Sequence, residues 1–273
     1  MSRPDGSGMS TSGDATPAPP PARSIPYGDH PLQVANLHLP TAAGDPWPCV
    51  VLLHGGFWRS GWDRTLMTPL ALDLARRGVA AWNIEYRGTG RDGGGWPTTL
   101  FDVAAALDHL ADVEGVDATR IVTCGHSAGG QLALWLAARP RLGPDAPGAA
   151  PRVAPVAAVA QAGVADLRQA AQDGLGDDAC TALLGGSPDD VPERYGIASP
   201  TALLPLGVPM LLVHGLLDAI VPVEQSRAFA TAAERLGDVV ELLELDDADH
   251  FHVIDPEHRG WTAVVDRLPA LLG

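Results

Sequence analysis

In this 273-residue chain, residue types and spacing that could do chemistry first meet in Gly125-His126-Ser127-Ala128-Gly129-Gly130. The segment follows the apolar run RIVTC and opens the helix-forming AGGQLALWLAA. That setting puts the serine hydroxyl on a sharp strand-to-helix turn, where flanking glycines permit strained backbone and close approach. The free amides of the new helix then face any negative charge that develops beside the hydroxyl. The bare G-x-S-x-G pattern carries little weight, because 31 Gly and 10 Ser generate about 0.13 chance matches in a chain of this composition. Its weight comes from lying between a strand and a helix.

A serine hydroxyl is a poor nucleophile until an imidazole takes its proton, and the imidazole needs a carboxylate to fix its tautomer. Behind an elbow of this kind the chain order is serine, acid, histidine. Asp218, in HGLLDAIVP, and His250, in DHFH, follow in that order, each just past an apolar run. We therefore expect Ser127 as nucleophile, His250 as base and Asp218 as its orienter. Asp218 could instead cap the helix that starts near Val223. His252 is the rival base, and alternation along an extended segment would aim it away from the pocket. Asp246, Asp247 and Asp249 lie too close to His250 in sequence to approach it from the opposite side. Ser60, Ser199 and Ser226 lack an elbow, and His126 is expected to pack and hydrogen-bond rather than act as a second base.

A tetrahedral intermediate also needs backbone donors. His54-Gly55-Gly56-Phe57-Trp58, after the apolar run CVVLL, can turn its amides inward. The N–H groups of Gly56, Phe57 and Ala128 are the expected oxyanion hole. Among the aromatic residues near these motifs, Phe57, Trp58, Trp96 and Phe251 are expected on the substrate pocket. Trp82 and Trp135, inside a strand and a helix, are expected in the core. Glu85, Tyr86 and Arg87 end a strand and are expected to brace the loop beneath HGGFW.

These residues need a frame that brings them together. Apolar runs at 32–39, 49–54, 79–86, 120–125, 156–163, 208–215 and 239–245 read as strands, the first half-exposed and most others near-continuous, as in buried parallel sheets. Stretches at 64–77, 98–113, 128–138, 223–236 and 257–272 carry apolar residues at helical spacing. Strand and helix in alternation predict an α/β fold: a mostly parallel central sheet with helices on both faces. Its site lies where strands end. The Gly- and Pro-rich span 165–206 breaks the rhythm and is expected to be a small cap or lid. Residues 1–25, with TPAPPPA and almost no large apolar side chains, read as a disordered tail, and 26–273 read as one domain.

Composition removes other chemistries. The chain has 18 Arg, no Lys and 33 Asp+Glu, a formal net charge of −15. Schiff-base lysines, Ser-Lys dyads and phosphate-loop lysines are thereby excluded. Such acidity without a basic cluster disfavours nucleic acid and anionic membrane as partners. Cys49, Cys124 and Cys180 have neither disulfide-framework nor metal-ligand spacing, so we expect reduced thiols in a cytoplasmic protein. The first 26 residues hold no apolar core of a signal peptide. The longest stretch free of charged residues, 195–217, contains three prolines and is no membrane helix.

With these segments in place, the chain resembles the α/β-hydrolase superfamily, within it the esterase and kynurenine formamidase (arylformamidase)-like group that carries HGG-x-W. HGGFW, EYRG (85–88), GGWP (94–97), GHSAGG, HGLLDAIVP and DHF occur in the group's order, from about Tyr27 onward. The resemblance implies the α/β-hydrolase fold and a hydrolase with no cofactor, acting on small carboxyl esters or aryl formamides through an acyl-enzyme on Ser127. Phe57 stands where hormone-sensitive-lipase-like esterases show a third glycine, which favours the formamidase-like group. A peptidase or amidase of the same fold, and a non-catalytic binding protein that keeps the pocket, are the alternatives.

Overall fold

The apolar runs assemble, in a computed structural model that describes residues 20–41, 44 and 46–273, into one eight-stranded sheet. Its strands are β1 (Arg23–Pro26), β2 (Val34–His38), β3 (Trp47–Leu53), β4 (Ala80–Ile84), β5 (Val116–His126), β6 (Ala157–Gln161), β7 (Met210–Gly215) and β8 (Val240–Leu245). Their order is β1-β2-β4-β3-β5-β6-β7-β8. The first two pairings, β1 with β2 and β2 with β4, are antiparallel, and β3 to β8 run parallel. The expected mostly parallel α/β sheet is present. The carboxyl ends of β3, β5, β7 and β8 fall on one edge, as the registers Leu53↔Gly125 and Gly215↔Leu245 show.

Each inner strand splits its side chains between two cores. In β3, Cys49, Val51 and Leu53 face one hydrophobic cluster, and Val50 and Leu52 face the other. This is the period-two alternation of a sheet covered on both sides. Helices α1 (Thr68–Arg76) and α8 (Arg259–Leu272) cover one face, through Leu70, Leu74, Trp261, Val264 and Leu268. Helices α2 (Thr98–Asp108) and α3 (Ala128–Ala138) cover the other, and α7 (Glu224–Arg235) packs Phe229 there against Met210 and Leu212. All eleven residues of α3 are buried, which suits a sequence apolar all round except for Gln131.

Four tryptophans are fully buried, and each indole N–H finds an acceptor on another element. Trp82 donates to Ala106 O at 2.9 Å, Trp135 to Ile197 O at 2.9 Å, Trp261 to Asp73 Oδ2 at 2.7 Å and Trp58 to Gln131 Oε1 at 2.9 Å. An unsatisfied buried donor costs about 1–3 kcal/mol, so these bonds fix orientation as well as fill space. Trp82 and Trp135 are core residues, as expected.

Two expectations need correction. The expected tail at 1–25 ends too late: residues 1–19 lie outside the described residues, but Arg23–Pro26 forms edge strand β1 against β2. With one apolar residue and a proline it carries no strand pattern, and an edge position tolerates the proline. The strand expected at 120–125 begins at Val116, which pairs with Trp47, because that pairing is through the backbone and Asp117-Ala118-Thr119 carry no apolar run to mark it. The span 165–206 contains helices α4 (Leu167–Gln172), α5 (Leu175–Leu184) and α6 (Pro192–Ala198). The first turn of α5 is left-handed at Gly176, Asp177 and Asp178.

Candidate active site

Ser127 sits between β5 and α3 with φ 56° and ψ −120°, a strained conformation for a residue with a side chain. Close packing enforces it. A Cβ on Gly125 would run into the carbonyl of Gly129, and one on Gly129 into the carbonyls of Leu53 and His54. The elbow therefore needs glycine at both places, and β3, β5 and α3 approach backbone to backbone. Ser127 N–H donates to Gln161 O at 2.8 Å, and Ser127 O accepts from Gly130 and Gln131, which starts α3.

The loop after β3 lies beside the elbow. Phe57 and Trp58 both have positive φ, 52° and 54°, and Gly56 has 111°. Among the described residues no carbonyl or side chain accepts from the N–H of Gly56, Phe57 or Ala128. Buried side chains brace this loop from below. Glu85 Oε1 lies 3.0 Å from His54 Nε2, Glu85 Oε2 accepts from Arg64 N at 3.0 Å, and Tyr86 donates to His54 O at 2.8 Å. The His54 and Tyr86 rings stack at 4.2 Å. Glu85 and Tyr86 thus take the bracing positions expected of them. Arg87 instead forms a two-pronged pair with Asp102 of α2, at 2.8 and 2.6 Å.

Asp218 and His250 come from the loops after β7 and β8. His250 Nδ1 is 2.7 Å from Asp218 Oδ2, and Asp218 Oδ1 accepts from the N–H of Ile220 and Val221 at 2.8 and 2.9 Å. The Asp218 side chain is fully buried. Burial alone would raise its pKa, but hydrogen bonds from His214 and His250 outweigh burial and hold it well below the usual carboxylate range. The alternative of a helix cap fails, since α7 begins at Glu224 with Val223 before it. His252 turns away to Asp249, at 2.7 Å on the exposed side. It does so because the chain enters a short 3-10 turn at His252–Ile254, not because an extended segment alternates.

His126 packs as expected, with its ring 4.5 Å from that of His250 and its Nε2 2.8 Å from His250 O. The carbonyl accepts, so Nε2 carries the proton. Burial, reinforced by the neighbouring His250, lowers the His126 pKa to about 3, so the ring stays neutral at ordinary pH.

A cavity of about 70 Å³ joins these parts. Gly56, Phe57, Trp62, Leu66, His126, Ser127, Ile220, His250 and Phe251 line it. Phe57 and Phe251 are where they were expected. Trp58 is not on the pocket: it is buried, its N–H spent on Gln131, whose amide in turn donates to Ala198 O at 2.9 Å. Trp96 lies away from the pocket, against the hydrophobic core, with the Arg194 guanidinium 5.9 Å from its ring. Trp62, Leu66 and Ile220 were missed, and the sequence held one faint signal for them. Each is a large apolar residue in or downstream of a motif, Trp62 and Ile220 in irregular loops and Leu66 in the 3-10 turn Arg64–Met67.

A parallel sheet with a serine elbow at the carboxyl edge of β5, and an Asp-His pair beyond β7 and β8, defines an α/β-hydrolase. The family model described as BD-FAE matches residues 35–233, and the chain belongs to that esterase family. Esterase LipC of Mycobacterium tuberculosis is 30% identical over 260 residues, covering 88% of this chain and 62% of that protein. A probable isoprenylcysteine alpha-carbonyl methylesterase of Arabidopsis thaliana, ICMEL1, is 31% identical over 115 residues, 41% of this chain and 23% of its own length. The chain thus spans less than two thirds of these curated relatives. Among solved structures, a truncated carbohydrate esterase from gut microbiota superposes with a TM-score of 0.80 at 16% identity, covering 93% of this chain and 97% of that one. The thermophilic esterase Est2 of Thermogutta terrifontis gives 0.73 at 25% identity, covering 93% and 92%.

Proposed function

We propose that this protein is a serine carboxylesterase acting on small esters with a short acyl group. The observation that carries it is the buried Asp218–His250 pair opening into the same small cavity as the strained Ser127. His250 presents Nδ1 to Asp218, which leaves Nε2 to take the proton of Ser127 Oγ as the oxygen bonds to the acyl carbon. The N–H groups of Gly56, Phe57 and Ala128 stabilise the resulting oxyanion. As the bond to the alcohol breaks, His250 returns the proton to the departing oxygen. Water then attacks the acyl-enzyme, gives its proton to His250, and the acid leaves as that proton returns to Ser127.

Size and polarity indicate the substrate. About 70 Å³ has room for a short acyl chain. Trp62, Ile220 and Phe251 are large apolar residues that stay exposed while lining the cavity, and such a rim favours an apolar alcohol. A formyl group is smaller still, and an aryl amine suits the same rim, so an aryl formamide is the second substrate class. The proposal extends to α4–α6 as the cap. Its support is the Arg59 guanidinium, which donates to the carbonyls of Gly176 and Asp177 and ties the left-handed turn to the loop after β3. We also assign the protein to the cytoplasm. All three cysteines are free and buried, and burial pushes the Cys124 and Cys180 thiols up to about 12.

The test compares wild type and Ser127→Ala on p-nitrophenyl esters of increasing acyl length and on N-formyl-kynurenine. The expected result is turnover that is highest for two- to four-carbon acyl groups and lower by about 10⁴-fold or more in the variant. A variant with full activity refutes the nucleophile. A higher specificity constant for the formamide than for any ester moves the function to an arylformamidase.

A further inference from the structure

One buried titratable side chain beside the site has no part in the steps above. His214, the penultimate residue of β7, is fully buried, and its ring lies between Asp218, Val221 and Ser226. Its Nε2 is 2.9 Å from Val221 O and 3.3 Å from Asp218 Oδ2. Both neighbours can only accept, so Nε2 carries a proton, which it directs to Val221 O with the Asp218 carboxylate beside it. Its Nδ1 is 2.8 Å from Ser226 Oγ. Among the described residues this nitrogen is the partner of that hydroxyl, whose hydrogen, given to Nδ1, would complete a neutral Nε2–H ring.

We propose that His214, with Ser226 behind it, is a positioning residue for the catalytic carboxylate: its Nε2–H holds Asp218 ionised and aimed at His250. The inference rests on Ser127, His250 and Asp218 acting as proposed. The physical need is clear from the count of donors. A buried carboxylate must be satisfied on both oxygens. Oδ1 has two backbone N–H groups, and Oδ2 has His250 and His214. A neutral imidazole suits the second place on Oδ2. A cation there would cancel the charge that stabilises His250 when it takes the serine proton. Ser226 supplies that neutrality by filling Nδ1 with a donor. The same contact accounts for two polar residues in HGLLDAIVPVEQS that the catalytic steps leave unused. The other titratable groups facing this cluster are His126, beside His250, and Glu244 of β8, which is paired with Arg227 of α7.

The experiment uses His214→Phe, which fills the space without a donor, and His214→Gln, whose amide N–H can reach the same acceptors. The readout is the pH dependence of kcat/KM on p-nitrophenyl acetate and of the rate at which a fluorophosphonate labels Ser127. In the Phe variant the carboxylate loses a donor and pulls harder on the His250 proton. The acidic limb should therefore move up by about 0.5–1 pH unit, and kcat should fall by about tenfold with KM nearly unchanged. The Gln variant should return the limb toward wild type. A Phe variant with an unmoved limb, whatever its melting temperature, makes His214 a packing residue and overturns the proposal. If the Phe variant does not fold, nitrogen-15 spectra of wild-type His214 decide. A neutral Nε2–H tautomer throughout pH 5–8 supports the proposal, and an Nδ1–H tautomer or a doubly protonated ring overturns it. Wild type that neither turns over esters nor takes the label refutes the hydrolase reading itself, a failure distinct from an unmoved limb.

Discussion

Around Ser127 the chain is held by its own backbone: the carbonyls of Gly129, Leu53 and His54 lie where a Cβ on Gly125 or Gly129 would not fit, and the free amides of Gly56, Phe57 and Ala128 belong to the main chain. Around His250 the reverse holds. Asp218 and His250 come from the loops after β7 and β8 and His214 from the end of β7, and side-chain contacts of 2.7–3.3 Å fix them. The contrast shows two ways of building precision. On the elbow side an added methyl group cannot be absorbed. On the acid–base side Gly215 is packed as closely, against the carbonyl of Ala248, but the chemistry depends on which side-chain atoms carry protons.

The largest effect should come from the side built on protons. Asp218→Asn keeps the size of the side chain but turns an amide toward the N–H of His250, so the imidazole adopts the wrong tautomer. We expect kcat to fall by about 10⁴-fold with a melting temperature within a few degrees of wild type, measured by steady-state kinetics and calorimetry on one preparation. A loss of less than tenfold would show that another group orients His250.

Gly129→Ala tests the side built on backbone. Its methyl group must displace the carbonyls of Leu53 and His54, an overpacking cost of about 1–3 kcal/mol. The denaturation midpoint should drop, and activity should fall with it because the oxyanion loop moves. A variant of wild-type stability would mean that the elbow yields more readily than its contacts imply.

The smallest effect joins the two sides through His126, whose ring belongs to the elbow and whose Nε2–H donates to His250 O. Its folded pKa of about 3 lies below the value near 6.5 of an unfolded histidine. Between those values the unfolded chain binds a proton that the folded one does not. Stability from this group is therefore full above pH 6.5 and is lost on acidification, by up to about 1.4 kcal/mol per pH unit. His126→Gln retains a donor toward His250 O without a titrating group. Its denaturation midpoint should decline less steeply than that of wild type from pH 6.5 to pH 4.5, and parallel curves would contradict the assignment.

How much of this was legible in the chain varies with the kind of signal. The elbow, the HGGFW loop and the pairing of Asp218 with His250 were readable because each couples a rare residue pattern to the end of an apolar run. The pocket wall was not. Trp58 stands inside a motif yet turns inward to Gln131, while Trp62, four residues on, lines the cavity. No rule of spacing separates them, since both lie in an irregular loop whose side chains point where tertiary contacts send them. Edge strand β1 escaped notice for a related reason. Its pairing is with β2 through the backbone, and backbone pairing at an edge leaves no hydrophobic pattern to read.

His214 illustrates the division most sharply. As a residue in an apolar run it reads as part of a strand, and only the folded chain puts Asp218, Val221 and Ser226 around its two nitrogens. Periodicity and turn chemistry act over a few residues, so the sequence by itself determined the alternating strands and helices, the glycine-bound elbow and the order of serine, acid and histidine. Which aromatic ring faces the cavity, which atom carries a proton and which carboxylate oxygen receives it depend on contacts between residues far apart in the chain. Those were decided only when the carboxyl ends of β3, β5, β7 and β8 came to one edge of the sheet.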